Sequence, residues 1–333
     1  MSDHSIPIIR IGEMTPHPNA DRLVLTKVGG WQVVVGRDEF EPGDPAIYIP
    51  PDFTVDVSRP AFAFLANRTS KPRMRIKVAQ LRGEISQGLM IPIPEELDAR
   101  FGVGDDVSAA LDIERYEPPE SATSGADRAI AGPSLLTHKF DIETYQRYAD
   151  VFLPGERLVV TEKIHGANVR VVMNDGVLFV GSRTEWWEEH SNSVYWRAVR
   201  SEGAALLGLL ADTPNVTFYG EAFGQVQKLK YGAKSGEVWL ALFAAMRADG
   251  TWIDTPALRE TCAARGVRFV PFLGVVENDE AGIRTAMRLA EEDSAIEDHL
   301  REGVVLVPEI ERRTPTGERV ALKLVSNRYL MKS

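Results

Sequence analysis

The chain has 333 residues, 44% of them hydrophobic and 26% charged, with a formal net charge of −10 and one cysteine, Cys262. This is the composition of a soluble globular protein long enough for two domains, and a lone cysteine excludes an internal disulfide or a multi-cysteine metal site and suits a reducing cytosol. No apolar stretch approaches the ~18 residues of a membrane span, and Met1-Ser-Asp-His4 carries no basic-then-apolar leader, so a cytoplasmic protein is expected.

Residues 1–116 read as a run of short strands. Ile8–Ile11, Leu23–Val28, Trp31–Val35, Ala46–Ile49 and Met90–Ile93 are apolar or β-branched and are separated by Gly, Pro, Asn and Asp turns. That spacing predicts a small barrel or sandwich. Asn67 to Gly83 carries Arg68, Lys71, Arg73, Arg75, Lys77 and Arg82 without an acidic residue. As one strand it would set Arg73, Arg75 and Lys77 on one face and Met74, Ile76 and Val78 on the other. A local basic face is compatible with a negative chain, because screening confines each field to about 8–10 Å at physiological salt. Two readings stay open for it: a strand laid against a phosphate backbone, or a solvated edge guarded by cations against aggregation.

Between Glu117 and Pro133 the composition turns to Pro, Ser, Ala and Gly, which marks 117–135 as a linker. The second domain is expected over 136–333, with a short helix over Asp141–Phe152. Arg157–Thr161 and Val169–Met173 then read as strands joined by a loop holding Lys163, His165 and Gly166. A lysine fixed there serves as a nucleophile if burial or a neighbouring cation leaves its amine partly neutral. Gly166 would let a phosphate ester approach the backbone. Lys-x-x-Gly is weak by itself, and Lys27-Val-Gly-Gly30 matches it equally well.

Helices are predicted over Ser193–Leu210, from a Thr255 cap to Gly266, and from Asp279 to Leu300. Between them lie β-like segments: Val177–Gly181 closed by Ser182-Arg183, Phe218-Tyr-Gly-Glu221, Phe243 within Val238–Met246, Glu302-Gly-Val-Val-Leu306, and Ala321-Leu-Lys323. Interleaved strands and helices of this kind predict an α+β fold with mainly antiparallel sheets. No glycine-rich dinucleotide loop or Walker sequence is present.

The ordered set Lys163, Ser182-Arg183, Glu221, Phe243, Glu302 and Lys323 resembles the covalent nucleotidyltransferases, the superfamily of ATP-dependent ligases and mRNA capping enzymes. Glu162-Lys-Ile-His-Gly-Ala-Asn168 is most similar to the RNA ligase 2 branch. Upstream, His17-Pro-Asn-Ala-Asp-Arg-Leu23 with Val28-Gly-Gly, and Gly43-Asp-Pro-Ala-Ile-Tyr-Ile-Pro50, resemble an OB module that binds tRNA. An OB-like barrel fused to an adenylyltransferase domain ending near Lys323 resembles the Deinococcus-type RNA ligases.

That resemblance implies ATP and a divalent metal, Mg or Mn, and a nicked duplex with an RNA 3′-OH strand as partner. It makes Lys163 the catalytic nucleophile. Glu162, Gly166, Asn168, Arg183, Glu221, Phe243 and Lys323 become the ATP and AMP contacts, Glu302 the metal ligand, and Arg73, Arg75 and Lys77 the nucleic-acid contacts. Arg183 and Glu221 would meet the ribose, Phe243 would stack on adenine, and Lys323 would pair with phosphate; a core role for Phe243 stays open. Val325 departs from the pattern, since relatives carry a second lysine there, and Arg328 and Lys332 are the candidate replacements. Two other functions are weighed: a catalytically inactive tRNA- or RNA-binding protein, and an RNA guanylyltransferase. The intact lysines and carboxylates argue against the first, and the chain's end ten residues after Lys323 argues against the second.

Overall fold

A computed structural model describes residues 5–97, 100–116, 127–133 and 142–332. The chain divides into two compact units, Met1–Pro118 with Leu330–Ser333, and Pro119–Tyr329.

The first unit is built from β1 (Ile8–Arg10), β2 (Met14–Pro16), β3 (Leu23–Val28), β4 (Trp31–Gly36), β5 (Pro45–Ile49), β6 (Phe53–Asp56), β7 (Arg73–Arg75), β8 (Val78–Leu81), β9 (Glu84–Gln87), β10 (Leu89–Pro92) and β11 (Glu114–Arg115). They form short sheets: β1-β5-β10, β2-β3-β4, β11-β6-β7 and β8-β9. All five expected strands are present. Ile8, Ile47, Ile49, Val55, Phe62 and Leu111 fill the core. The Lys27-Val-Gly-Gly30 match to the loop pattern is a hairpin turn. Val28 pairs with Trp31, and Gly29 takes a φ of 55°, the left-handed geometry that two-residue hairpins need.

The basic segment differs from expectation. It is not one strand: β7 stops at Arg75 and pairs with β6, while β8 begins at Val78 and pairs with β9. Ile76 and Val78 are buried as the alternation predicted, and burying them turns the chain from one sheet to the next.

The second unit contains β12 (Ala129–Ile130), β13 (Glu143–Thr144), α1 (Tyr145–Tyr148), β14 (Arg157–Glu162), β15 (Ala167–Asn174), β16 (Val177–Gly181), β17 (Trp186–Trp187), α2 (Val194–Asp212), β18 (Thr217–Gly224), β19 (Val238–Met246), α3 (Thr255–Arg265), β20 (Phe272–Glu277), α4 (Glu280–Glu291), β21 (Gly303–Pro308), β22 (Leu322–Val325) and α5 (Asn327–Lys332). One sheet runs β12-β17-β16-β15-β18-β19 and the other β13-β22-β21-β14-β20. Pairing is antiparallel apart from the short β13–β22 ladder, so the α+β reading holds. Helix α2 packs Val199, Leu206 and Leu210 on the first sheet; α4 packs Ile283, Ala286 and Ala290 on the second. Among the described residues no helix is long and apolar enough to cross a membrane.

Three boundaries move. Part of the expected linker, Ala129–Ile130, is a strand pairing with Trp187 and Trp186; 117–126 and 134–141 lie outside the described residues. Helix α3 has Asp254 at its cap, one residue before the expected Thr255, and ends at Gly266 as predicted. Helix α4 stops at Glu291, well short of Leu300. Its apolar spacing breaks at Glu291-Glu-Asp-Ser294, and beyond it the Ala295 N–H and Ser294 Oγ donate to the Glu162 carboxylate while Arg301 donates to the Leu289 carbonyl. These bonds remove the backbone from the helical ladder.

Candidate active site

Lys163 sits where the chain leaves one sheet for the other. It follows β14 of the five-stranded sheet, and four residues later the chain enters β15 of the six-stranded sheet. Its backbone N–H donates to the Gly303 carbonyl at 2.9 Å, which pins it beside the start of β21. Its Nζ lies 2.5 Å from Glu302 Oε1. The side chains are 25% and 11% exposed, so the pair is largely shielded yet reachable.

Three charges set the electrostatics. Desolvation disfavours the Lys163 ammonium, but Glu302 and Glu221 outweigh it and hold the amine above the ordinary lysine range. The two carboxylates thus work against burial and favour the ammonium form of Lys163. Burial opposes ionisation of Glu302 too, but Lys163 and then His165 pull its carboxyl below the usual range. Glu221 goes the other way. Burial pushes it up to about 8, Lys163 opposes, Glu302 adds to the rise, and the Gly166 backbone N–H moderates it. Two carboxylates of unlike ionisation thus flank one amine.

A pocket opens between the sheets beside this centre. Thr161, Val305 and Val307 line it from the five-stranded sheet, and Asn168, Glu221 and Phe243 from the six-stranded one. Asn168 stands directly opposite Glu221 across the β15–β18 ladder. Phe243 lines the pocket and also packs beside Ile164 and Val270, so its core role and its site role coexist. Thr255 and Arg319 lie on the same wall; Arg319 is buried and paired with Glu311 at 2.5 Å. The lining is apolar with a few fixed polar groups, the usual make-up of a small-molecule site.

Gly166 has a different reason from the one expected. A Cβ there would collide with the Ala222 carbonyl and come within 2.9 Å of Glu221 Cγ. The residue is small because β18 crosses it, and that crossing brings Glu221 to Lys163. Glu162 borders the pocket, but its buried carboxylate turns outward to Ser294 Oγ at 2.5 Å and the Ala295 N–H at 2.8 Å.

Lys323 joins this face by register. Thr161 pairs with Val305, and Val305 with Lys323, and cross-strand partners share a face. Arg183 lies exposed in the turn after β16 and is not among the lining residues. Of the two candidate replacements for a lysine at Val325, Arg328 binds the Glu291 carbonyl at 2.7 Å and Asp293 at 3.0 Å. In the other unit, Arg73 is bound to Asp112 at 2.6 Å and lies 3.3 Å from Glu114. Arg75 holds Asp52 at 2.6 Å and stacks 4.3 Å over the Tyr116 ring. The acids missing from the local sequence arrive from β11 and from the turns that precede β6 and β11.

Four residues escaped sequence reasoning. Tyr231 Oη accepts the His165 backbone N–H at 2.6 Å, and burial raises its phenol well above the ordinary tyrosine range. Tyr329 Oη lies 3.0 Å from His165 Nδ1, which is also 3.4 Å from Glu302 Oε2. Arg301 lies beside Glu162, and Arg319 lines the pocket. Isolated tyrosines and arginines carry no spacing signal; only Arg301, next to Glu302, stood where a motif pointed.

A lysine held by a carboxylate between two antiparallel sheets, beside an apolar slot with an aromatic wall, defines a nucleotidyltransferase-like domain. Residues 156–325, half of the chain, match the family model described as RNA ligase, and residues 6–93 match an OB-fold domain model; the chain belongs to the RNA ligase family. Its structure is similar to that of a Naegleria gruberi RNA ligase variant solved with ATP and Mn, at TM-score 0.81 and 26% identity, covering 98% of each chain. It is also similar to the Naegleria gruberi enzyme with pyrophosphate, at TM-score 0.80 and 26% identity, over 98% of this chain and 97% of that one. A variant of that ligase with AMP and Mn matches at TM-score 0.80 and 26% identity, over 98% of both. The comparison with curated proteins gives no match.

Proposed function

We propose that the chain is an ATP-dependent RNA ligase that joins a 3′-OH end to a 5′-phosphate end across a nick through a lysyl-AMP at Lys163. The observation that carries this reading is the 2.5 Å contact of Glu302 with Lys163, which lines the Phe243 pocket. The Lys163 ammonium sheds a proton before attack, and the 2.5 Å contact with Glu302 Oε1 holds its nitrogen in place. The amine then bonds to the α-phosphorus of ATP as the bond to pyrophosphate breaks. AMP passes next to the 5′-phosphate, and the 3′-hydroxyl finally displaces it. Each step is an in-line displacement at phosphorus, governed by positioning and charge neutralisation.

Adenine is assigned to the pocket, against Phe243, with Asn168, Gly166 and the Glu162 backbone around it. Glu221 and Arg183 are assigned to the ribose, and Lys323 to phosphate. A divalent metal fits the carboxylates present. Glu302 Oε2 is buried with His165 Nδ1 3.4 Å away, and Glu302 lies close enough to Glu221 to add to the rise that keeps Glu221 protonated. Among the described residues no group of three or more His, Cys, Asp or Glu side chains could hold a metal by itself, which suits an ion completed by substrate phosphates and water. When bound, that ion supplies charge neutralisation at phosphorus.

Residues 136–333 are the proposed adenylyltransferase domain, and residues 1–116 the nucleic-acid grip, in the Deinococcus-type arrangement with an RNA strand supplying the 3′-OH. Arg73 and Arg75 contribute less to that grip than their sequence suggested, because their charges are already paired. Incubation with labelled ATP or GTP and Mg or Mn tests the reading. An acid-labile protein–AMP adduct is expected from ATP alone. A GTP adduct would indicate a guanylyltransferase, and no adduct a non-catalytic RNA-binding protein.

A further inference from the structure

Two consecutive pairs of charged residues meet side by side at this centre. Glu162-Lys163 ends one strand and Arg301-Glu302 leads into its neighbour, so that Glu162 faces Arg301 while Lys163 faces Glu302. The outer pair is the more buried: Glu162 and Arg301 side chains are 0% and 3% exposed. Glu162 Oε2 lies 3.4 Å from Arg301 Nε, an ion contact without hydrogen-bond geometry. The carboxylate is aimed by Ser294 Oγ and the Ala295 N–H, and the guanidinium by its bond to the Leu289 carbonyl.

We propose that Glu162 and Arg301 are a positioning pair for the catalytic centre: Glu162 occupies Arg301, so that Glu302 is left to hold the Lys163 amine. This rests on the reading of Lys163 as the adenylylated lysine. Two carboxylates compete for one guanidinium. A buried guanidinium deprived of its carboxylate is costly and takes another. Glu302 is covalently next to Arg301, and its Oε2 has only the 3.4 Å approach of His165 Nδ1, so it has acceptor capacity to spare. Arg301 freed from Glu162 would draw Glu302 away from Lys163. Glu162 therefore acts through Arg301 and Glu302, and its side chain has no need to touch the nucleotide.

The test is a charge-removal cycle on the full chain, read as the single-turnover rate of protein–AMP formation, the KM for ATP and the thermal midpoint. Glu162→Gln should slow adduct formation about tenfold or more while leaving KM for ATP within about threefold. Adding Arg301→Gln to E162Q removes the competing cation and should restore most of the rate. A double variant as slow as the single one overturns the proposal, since a purely structural clamp gains nothing from losing its second half. An unchanged rate in E162Q also overturns it, as does a loss confined to KM, which would mean a direct nucleotide contact. Should E162Q fail to fold, the double variant decides: folded and active supports competition, unfolded or inactive refutes it. A wild-type protein that forms no adduct refutes the reading of Lys163 first, and the positioning role with it.

Discussion

Replacing Gly166 by alanine probes the crossing that assembles the site. The added methyl would meet the Ala222 carbonyl oxygen and carbon, with the carbon 2.9 Å away, and Glu221 Cγ also at 2.9 Å. Backbone cannot rotate aside as a side chain can, so either the Lys163–Gly166 loop or β18 must move, by something on the order of 1 Å. Overpacking of this kind costs about 1–3 kcal/mol. The same displacement separates Glu221 from Lys163, and a shift of about 1 Å in a positioned group costs about 100-fold in rate. The assay pairs thermal unfolding with single-turnover protein–AMP formation from ATP. Gly208→Ala in helix α2 serves as the control, because nothing lies within 4 Å of a Cβ there. That change should be neutral or stabilising by about 0.5–1 kcal/mol. A G166A protein that forms the adduct within about threefold of the wild-type rate would refute the crossing argument, whatever its stability.

Lys163→Ala should abolish the protein–AMP adduct and the joining of a 5′-phosphate end, yet still seal a pre-adenylylated nick, as gel analysis of both substrates would show; full ATP-dependent joining by the variant would end the lysyl-AMP reading. Glu221 is raised from the ordinary 4.5 to about 8, chiefly by burial, so its neutral form belongs to the folded state. Its contribution to stability is fully present below 4.5 and is lost as pH rises through about 8. Without metal, the thermal midpoint of the wild type should therefore fall more steeply towards alkaline pH than that of Glu221→Gln, and parallel curves would contradict the assignment. Changing Arg73, Arg75 and Lys77 together to alanine should lower the thermal midpoint, because Asp52, Asp112 and Glu114 lose their partners. It should also flatten the salt dependence of duplex binding by less than the ~2.7 units of slope that three phosphate contacts would give; the full reduction with no loss of stability would show these side chains serving nucleic acid alone.

Chain order and residue chemistry carried much of this protein. The strands of the first unit follow from β-branched runs between turn residues. The α+β class follows from strands interleaved with capped helices, and Lys163, Glu221, Phe243 and Glu302 stood in a recognisable order. Tertiary structure decided what lies between those residues. Glu221 is 58 positions from Lys163 and Glu302 is 139, and only the antiparallel ladders β15–β18 and β14–β21 make them neighbours. The ammonium form of Lys163 is favoured by that meeting, since burial and two carboxylates act in opposite directions and only distance settles the balance. Arg73 and Arg75 illustrate the converse. Their stretch of sequence holds no acid, yet Asp52 just before β6, Asp112 just before β11 and Glu114 within β11 meet them. Local pattern follows from rotations about adjacent bonds, whereas charge is felt through space, so a sequence can place a charged residue on a strand without showing which charge it will meet.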